Sequence, residues 1–233
     1  MPIIMLPSAG EPDLPRIAAL LRAAPPTTRH LVDMPWRLGA PALQSADDAR
    51  LWQNEAGELL AFAAWQVPWV VLDCVIRSGP ELAAVEDALF TWAAERFNEL
   101  DRQRGHPLPY WIEARDDDIE RLAAIARHGY SLDDDVGYVH LRRSLASPIP
   151  PAAPPPGFTI RPLTPASEVD AYVALHRAAF ASTAMTADWR ARTLRMPQYV
   201  PRSISWQSPP MARSPRSASA GWTPPGGLVR SSR

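Results

Sequence analysis

VVLDCVIRSGPELAAVEDALFTWAAERF, residues 70–97, is the stretch on which the reading of the fold turns. Its opening is almost continuously apolar and β-branched, which suits a central strand covered on both faces of a sheet. Ser78-Gly79-Pro80-Glu81 then reads as a helix start: a small capping residue, a proline for the first helical position, and an acid at the positive end of the dipole. Beyond it Leu82, Val85, Leu89, Trp92, Ala93, Phe97 and Leu100 form one stripe, predicting a helix to about Asp101. A buried strand feeding a long amphipathic helix belongs to the α/β class.

Upstream, residues 50–54 are strand-like, Glu55-Ala56-Gly57-Glu58 is a hairpin turn, and residues 59–67 and 69–77 are two further strands. Residues 12–24 place Ile17, Leu20, Leu21 and Ala24 on one helical face, and Pro25-Pro26 ends that helix. Downstream, residues 109–115 form a strand and Asp116-Asp117-Asp118 opens a helix with Ile119, Leu122, Ala123 and Ala126 inward. Gly129 is its C′ residue. Residues 130–143 read as two strands around Asp133-Asp134-Asp135. The simplest packing of this order is a three-layer α-β-α unit around one mixed sheet, over residues 1–146.

Residues 146–157, ASPIPPAAPPPG, hold six prolines and no charge, the composition of a semi-rigid linker. After this linker (147–157), residues 158–163 restart as a strand, 166–181 as an amphipathic helix and 185–196 as another. Residues 158–201 thus open a second unit. Residues 202–233 are rich in Ser, Pro, Arg and Gly without a period, and are expected to be disordered.

The 233 residues are 46% apolar and 21% charged, within the globular range. All 24 basic residues are arginine and there are 27 prolines, which points to a GC-rich gene. Every acidic residue precedes residue 202, so a mildly acidic body carries a tail with Arg202, Arg213, Arg216, Arg230 and Arg233. These dispersed charges lack interleaved aromatics and argue against nucleic acid; a nucleic-acid-binding tail would show steeply salt-dependent binding. No apolar run approaches the ~20 residues of a membrane helix, and the N-terminus lacks a signal-peptide pattern. The expectation is a cytoplasmic protein. Cys74, the single cysteine, excludes an internal disulfide and is read as a small core residue. The five histidines show no metal-ligand spacing, and the aspartate triplets lack the alternation of a calcium loop.

In its order of elements the chain resembles the GNAT acetyltransferase superfamily. Residues 70–97 resemble that family's fourth strand and cofactor-binding helix. IERLAAIARHGYSLDDDVGYVHLRRSL (119–145) is similar to its last helix and closing hairpin, and GFTIRPLTPASEVDAYVALHRAAF (157–180) to the start of a second module. The resemblance implies an N-acetyltransferase that uses acetyl-CoA and a small-molecule amine. Its cofactor-facing positions fall on Val75, Ile76, Gly79 and Leu82, and its proton-returning tyrosine on Tyr130 or Tyr138. The family's phosphate loop, R/Q-x-x-G-x-G/A, binds the pyrophosphate through backbone N–H groups at a helix N-terminus. Here Glu81, Leu82, Ala84 and Glu86 stand where the basic residue and glycines belong. Carboxylates repel a diphosphate, so the first module is expected to bind acetyl-CoA poorly or not at all. A non-catalytic GNAT-fold packing or interaction module is the alternative. Asp73 is a possible base, more often hydrogen-bonded in such a position.

The second module's cofactor strand and loop are missing after residue 201. Read from the third base of each codon, however, residues 203–223 are compatible with LVAVAPDGSLAAFCVGWLD. Trp206-Gln207 forces an alanine there, Met211-Ala212 a glycine and Trp222-Thr223 an aspartate. That string is a β-hairpin pattern with an Asp-Gly turn, and it parallels residues 55–65. The reading is a tandem GNAT chain truncated by a shifted frame, weakly active or inactive. About 45 residues of second module cannot bury enough surface to stand alone, so they dock on the first module or remain partly molten.

Overall fold

The computed structural model describes residues 2–24, 33–133, 144, 146–149, 153–156, 159–163, 167–199, 205–208 and 227–231. Its strands are β1 (Ile4–Pro7), β2 (Ala49–Gln53), β3 (Leu59–Gln66), β4 (Val71–Ile76), β5 (Trp111–Ala114), β6 (Tyr130–Leu132), β7 (Thr159–Pro162), β8 (Ser205–Ser208) and β9 (Gly227–Ser231). Seven of them make one mixed sheet in the order β1-β2-β3-β4-β5-β9-β6, and β7-β8 is a separate antiparallel pair. β1 to β4 are successively antiparallel, whereas β4 and β5 run parallel.

The pleat divides the sheet's side chains between two cores. Ala61, Ala63, Trp65, Leu72 and Ile76 face α3 (Leu82–Arg104) and α4 (Ile119–Arg127), meeting Val85, Leu89, Phe90, Trp92, Phe97 and Ile125. Phe62, Ala64 and Val75 face α1 (Leu14–Ala23) and α2 (Met34–Gly39), meeting Leu14, Ile17, Leu20, Met34 and Leu38. The α-β-α layering read from the sequence is the observed architecture.

The hairpin between β2 and β3 closes where the sequence puts it. Gly57 adopts φ 79°, and the Asn54 side chain accepts from the Glu58 N–H at 2.9 Å and donates to its carboxylate. Asp118 caps α4 by accepting from Arg121 N, and Gly129 sits just beyond that helix at φ 82°.

One expectation is corrected. α3 begins at Leu82, with no side-chain cap; the Leu82 N–H is taken by the Gly79 carbonyl at 3.1 Å, so Ser78–Glu81 is spent on a tight turn instead of a first helical turn. β1 and α2 were not foreseen, since four and six residues are too few for a period to register. Within residues 202–233 the described residues are Ser205–Ser208 and Gly227–Ser231, which are β8 and β9. A strand edge supplies backbone donors and acceptors to any extended segment, whatever its apolar pattern. The expected second strand of the closing hairpin lies at 134–143, outside the described residues.

α5 (Val169–Phe180) and α6 (Ala187–Arg195) pack onto the α2 side. Trp189 stacks on Trp69 at a centroid distance of 5.2 Å and meets Trp36 at a tilt at 5.0 Å, and its Nε1 donates to the Trp36 carbonyl at 2.8 Å. Arg192 Nε donates to the Gly39 carbonyl at 2.8 Å. Of the two expected fates for this segment, docking is the one observed.

Candidate functional site

Parallel strands β4 and β5 share a ladder of two residue pairs, Val71 with Trp111 and Leu72 with Ile112. From Asp73 onward β4 has no ladder partner on its β5 side among the described residues. The two strands part there, leaving a wedge whose closed end is the Leu72–Ile112 pair.

Cys74 stands in this wedge on the α3–α4 side, half-buried. Arg121, from α4, reaches across to it: its Nη2 donates to Cys74 Sγ at 2.8 Å and its Nη1 to Glu86 Oε1 of α3 at 2.8 Å. The guanidinium also lies over the Phe90 ring, 5.0 Å from its centroid. Burial works against the charge of Arg121, but Cys74 and then Glu86 outweigh it, and the net shift in its pKa is upward. Arg121 is therefore a fixed cation.

Tyr130 completes the cluster from β6. Its ring meets Tyr110 edge-on at 5.3 Å and Phe90 at 5.8 Å. Its hydroxyl is buried and has Tyr110 as a hydrogen-bonding neighbour, although no bond of full geometry forms among the described residues. Burial first, then Tyr110 and Cys74, push its pKa well above the usual phenol value, with Arg121 pulling the other way. Tyr130 is thus a protonated donor at neutral pH. Tyr138 lies outside the described residues.

The other residues singled out from the sequence are dispersed. Val75 is buried toward α1 and Ile76 toward α3, both as core side chains. Leu82 is half-buried against the α3 core, and Gly79 is exposed. A Cβ built on Gly79 would lie 3.3 Å from Glu81 Oε2, so that carboxylate is folded back over the turn. Glu86 does not present a free carboxylate to solvent, as its place in the sequence suggests; it is buried and paired with Arg121. Asp73 is no free base either. It is 2% exposed and takes bonds from Arg37 Nη1 at 2.8 and 3.0 Å and from Gln66 Nε2 at 2.9 Å.

This arrangement does not fit acetyl-CoA. The turn that would cradle the diphosphate has one glycine, with an acid over it, and a leucine where backbone must be bare. The wedge beyond it is bridged by Arg121 between Cys74 and Glu86. No transfer step can be written through a coenzyme at these residues. Among the described residues no group of three or more His, Cys, Asp or Glu side chains is placed to hold a metal ion, and no helix is long and apolar enough to cross a membrane.

The Arg121 bridge is what sequence reasoning missed. Its partners lie 35 and 47 residues away. The only local signal was Glu86 itself, an acid four residues after Leu82 and four before Phe90, on the inward stripe of α3.

No protein-family model matches this chain, and no curated protein matches it. Among solved structures the chain is similar to a GCN5-related N-acetyltransferase from Sphaerobacter thermophilus, with a TM-score of 0.44 and 21% identity. The match covers 84% of this chain and spans 63% of the length of that one.

Proposed function

We propose that this chain is a GNAT-type N-acetyltransferase relative whose acetyl transfer from acetyl-CoA to a small amine is weak or lost. The observation that carries this reading is the bridged wedge, with Arg121 locked between Cys74 and Glu86 and Glu81 folded over Gly79. A diphosphate at that turn would meet the Glu81 carboxylate at short range, and Arg121, already taken up by Cys74 and Glu86, is not free to offset it.

A second reading, a non-catalytic packing module, is favoured by the docking of α5 and α6. Trp189 is 1% exposed within a three-tryptophan cluster drawn from both parts of the chain. The tandem organisation is proposed on the same ground. The order β7–α5–α6 repeats β1–α1–α2. The truncation by a shifted frame remains part of this proposal. It is supported by α5, where Ala171, Ala174, Leu175 and Ala178 form an exposed apolar stripe. Sequencing the coding DNA past codon 201 tests it: stop codons in the third-base frame would end the idea.

Incubating the full chain with acetyl-CoA and a panel of polyamines, aminoglycosides and amino acids, with free-thiol release as the readout, separates the two functional readings. Release above the no-enzyme rate supports residual acetyltransferase activity, and release at that rate with every amine supports the packing module.

A further inference from the structure

We propose that an open recess between α1 and the β2–β3 hairpin binds a short-chain aliphatic carboxylate, with Arg16 and Arg77 taking its charged end. The inference stands apart from the acetyltransferase reading. The recess lies on the α1 face of the sheet, opposite the wedge that Arg121 bridges, and no coenzyme enters its test.

The recess has a volume of about 270 Å³, below the roughly 300 Å³ at which sites for drug-sized molecules begin, so it suits a small ligand. Its floor is apolar. Ala19, Leu20 and Ala23 come from α1, and Leu59 opens β3. Ala19 and Ala23 lie one turn apart on α1 and are exposed, and their short side chains leave the space open to solvent. Two guanidiniums line this floor and no acid does.

Arg16 is held in place by the hairpin. Its Nη2 donates to Gln53 Oε1 at 2.6 Å and to the Gly57 carbonyl at 3.3 Å. Its Nη1 is 3.7 Å from Asp13, too far for a hydrogen bond, and Asp13 accepts instead from the Ala9 N–H at 2.6 Å. Arg77 follows β4 directly, with its backbone N–H donated to the Leu60 carbonyl at 2.8 Å. Its Nη1 stands 3.8 Å from Glu58, again beyond bonding length, while Asn54 Nδ2 donates to Glu58 at 2.9 Å. Asp13 and Glu58 temper the field of the two cations but leave guanidinium donors for a ligand. A carboxylate takes such donors in a charge-assisted pair. An aliphatic tail on the same molecule covers the apolar floor, which a bare phosphate would leave in water. Ala23 is the last residue of α1, where helix carbonyls disfavour an anion, so the alkyl end belongs beside it.

The full chain is titrated calorimetrically with acetate, butyrate and hexanoate at constant ionic strength, and with hexan-1-ol and inorganic phosphate. Hexanoate is expected to give saturable heat with a dissociation constant of about 1 mM or below. Affinity should rise from acetate to hexanoate by about two- to fourfold for each methylene buried. Arg77→Gln, at an exposed position, is expected to weaken hexanoate by about fivefold or more. Arg115→Gln removes a guanidinium paired elsewhere with Asp117 and should leave the affinity within about twofold of the parent. Circular dichroism checks that each variant is folded. Should Arg77→Gln unfold, Ala23→Glu takes its place, since it puts a carboxylate in the recess and is expected to weaken hexanoate likewise. No saturable heat, an affinity that acetate, hexan-1-ol or phosphate equals, or a loss in Arg115→Gln as large as in Arg77→Gln overturns the proposal.

Discussion

Asp73 and Cys74 are neighbours on β4 that face opposite layers, and an arginine from the helix on each side meets them. On the α2 side, Arg37 and Asp73 are 2.8 Å apart with side-chain exposures of 12% and 3%. Such a pair adds little net stability, but removing one partner strands the other charge. Arg37→Met is expected to cost about 3–5 kcal/mol in urea unfolding, and adding Asp73→Leu to recover most of it. No recovery in the double variant would contradict this view of the pair. On the other face, Tyr130 keeps its proton to higher pH in the folded chain than in the unfolded one, chiefly because it is buried. Its contribution to stability is full below about pH 10, the unfolded value, and is lost as pH climbs toward the folded value. Tyr130→Phe is therefore expected to flatten part of the alkaline loss of stability. At neutral pH it should change stability by no more than about 1 kcal/mol, since the buried hydroxyl makes only a poorly aligned contact with Tyr110. Thermal melts between neutral and alkaline pH check both signs.

Contact between α2 and α6 depends on the bareness of one glycine. A Cβ at Gly39 would lie 2.7 Å from Thr193 Oγ1 and 3.0 Å from the Thr193 backbone nitrogen. Gly39→Ala is expected to push the helices apart and cost about 1–3 kcal/mol, as overpacking does. The cluster of Trp36, Trp69 and Trp189 should report it as a shift in tryptophan fluorescence, and an unshifted spectrum with unchanged stability would count against the close approach. None of this was legible in the sequence. α2 is six residues long and begins Met-Pro, and its packing partner lies about 150 residues downstream. The period of α3 was legible because 23 residues repeat one stripe, and Gly105 at φ 78° stops it. Its start was misread because Ser78-Gly79-Pro80 satisfies a helix cap and a tight turn equally well, and only the Gly79 carbonyl's acceptance of the Leu82 N–H decides between them.

Across the whole molecule, two cores on opposite faces of one sheet account for the layering, and local patterns foretold both. What patterns did not foretell is how distant pieces share that sheet. Gly227–Ser231 pairs with both Trp111–Ala114 and Tyr130–Leu132 through backbone groups that carry no sequence signal. The wedge follows the same logic. The acids at 81 and 86 were visible as misfits for a phosphate loop, whereas the arginine that makes one of them a structural bridge was not. The function of the chain therefore turns on whether this part of the sheet can accept a coenzyme. Isothermal titration of coenzyme A into the full chain measures that directly. The prediction is no saturable heat up to about 1 mM coenzyme; saturable binding with a micromolar Kd, weakened when the diphosphate is removed from the ligand, would contradict it.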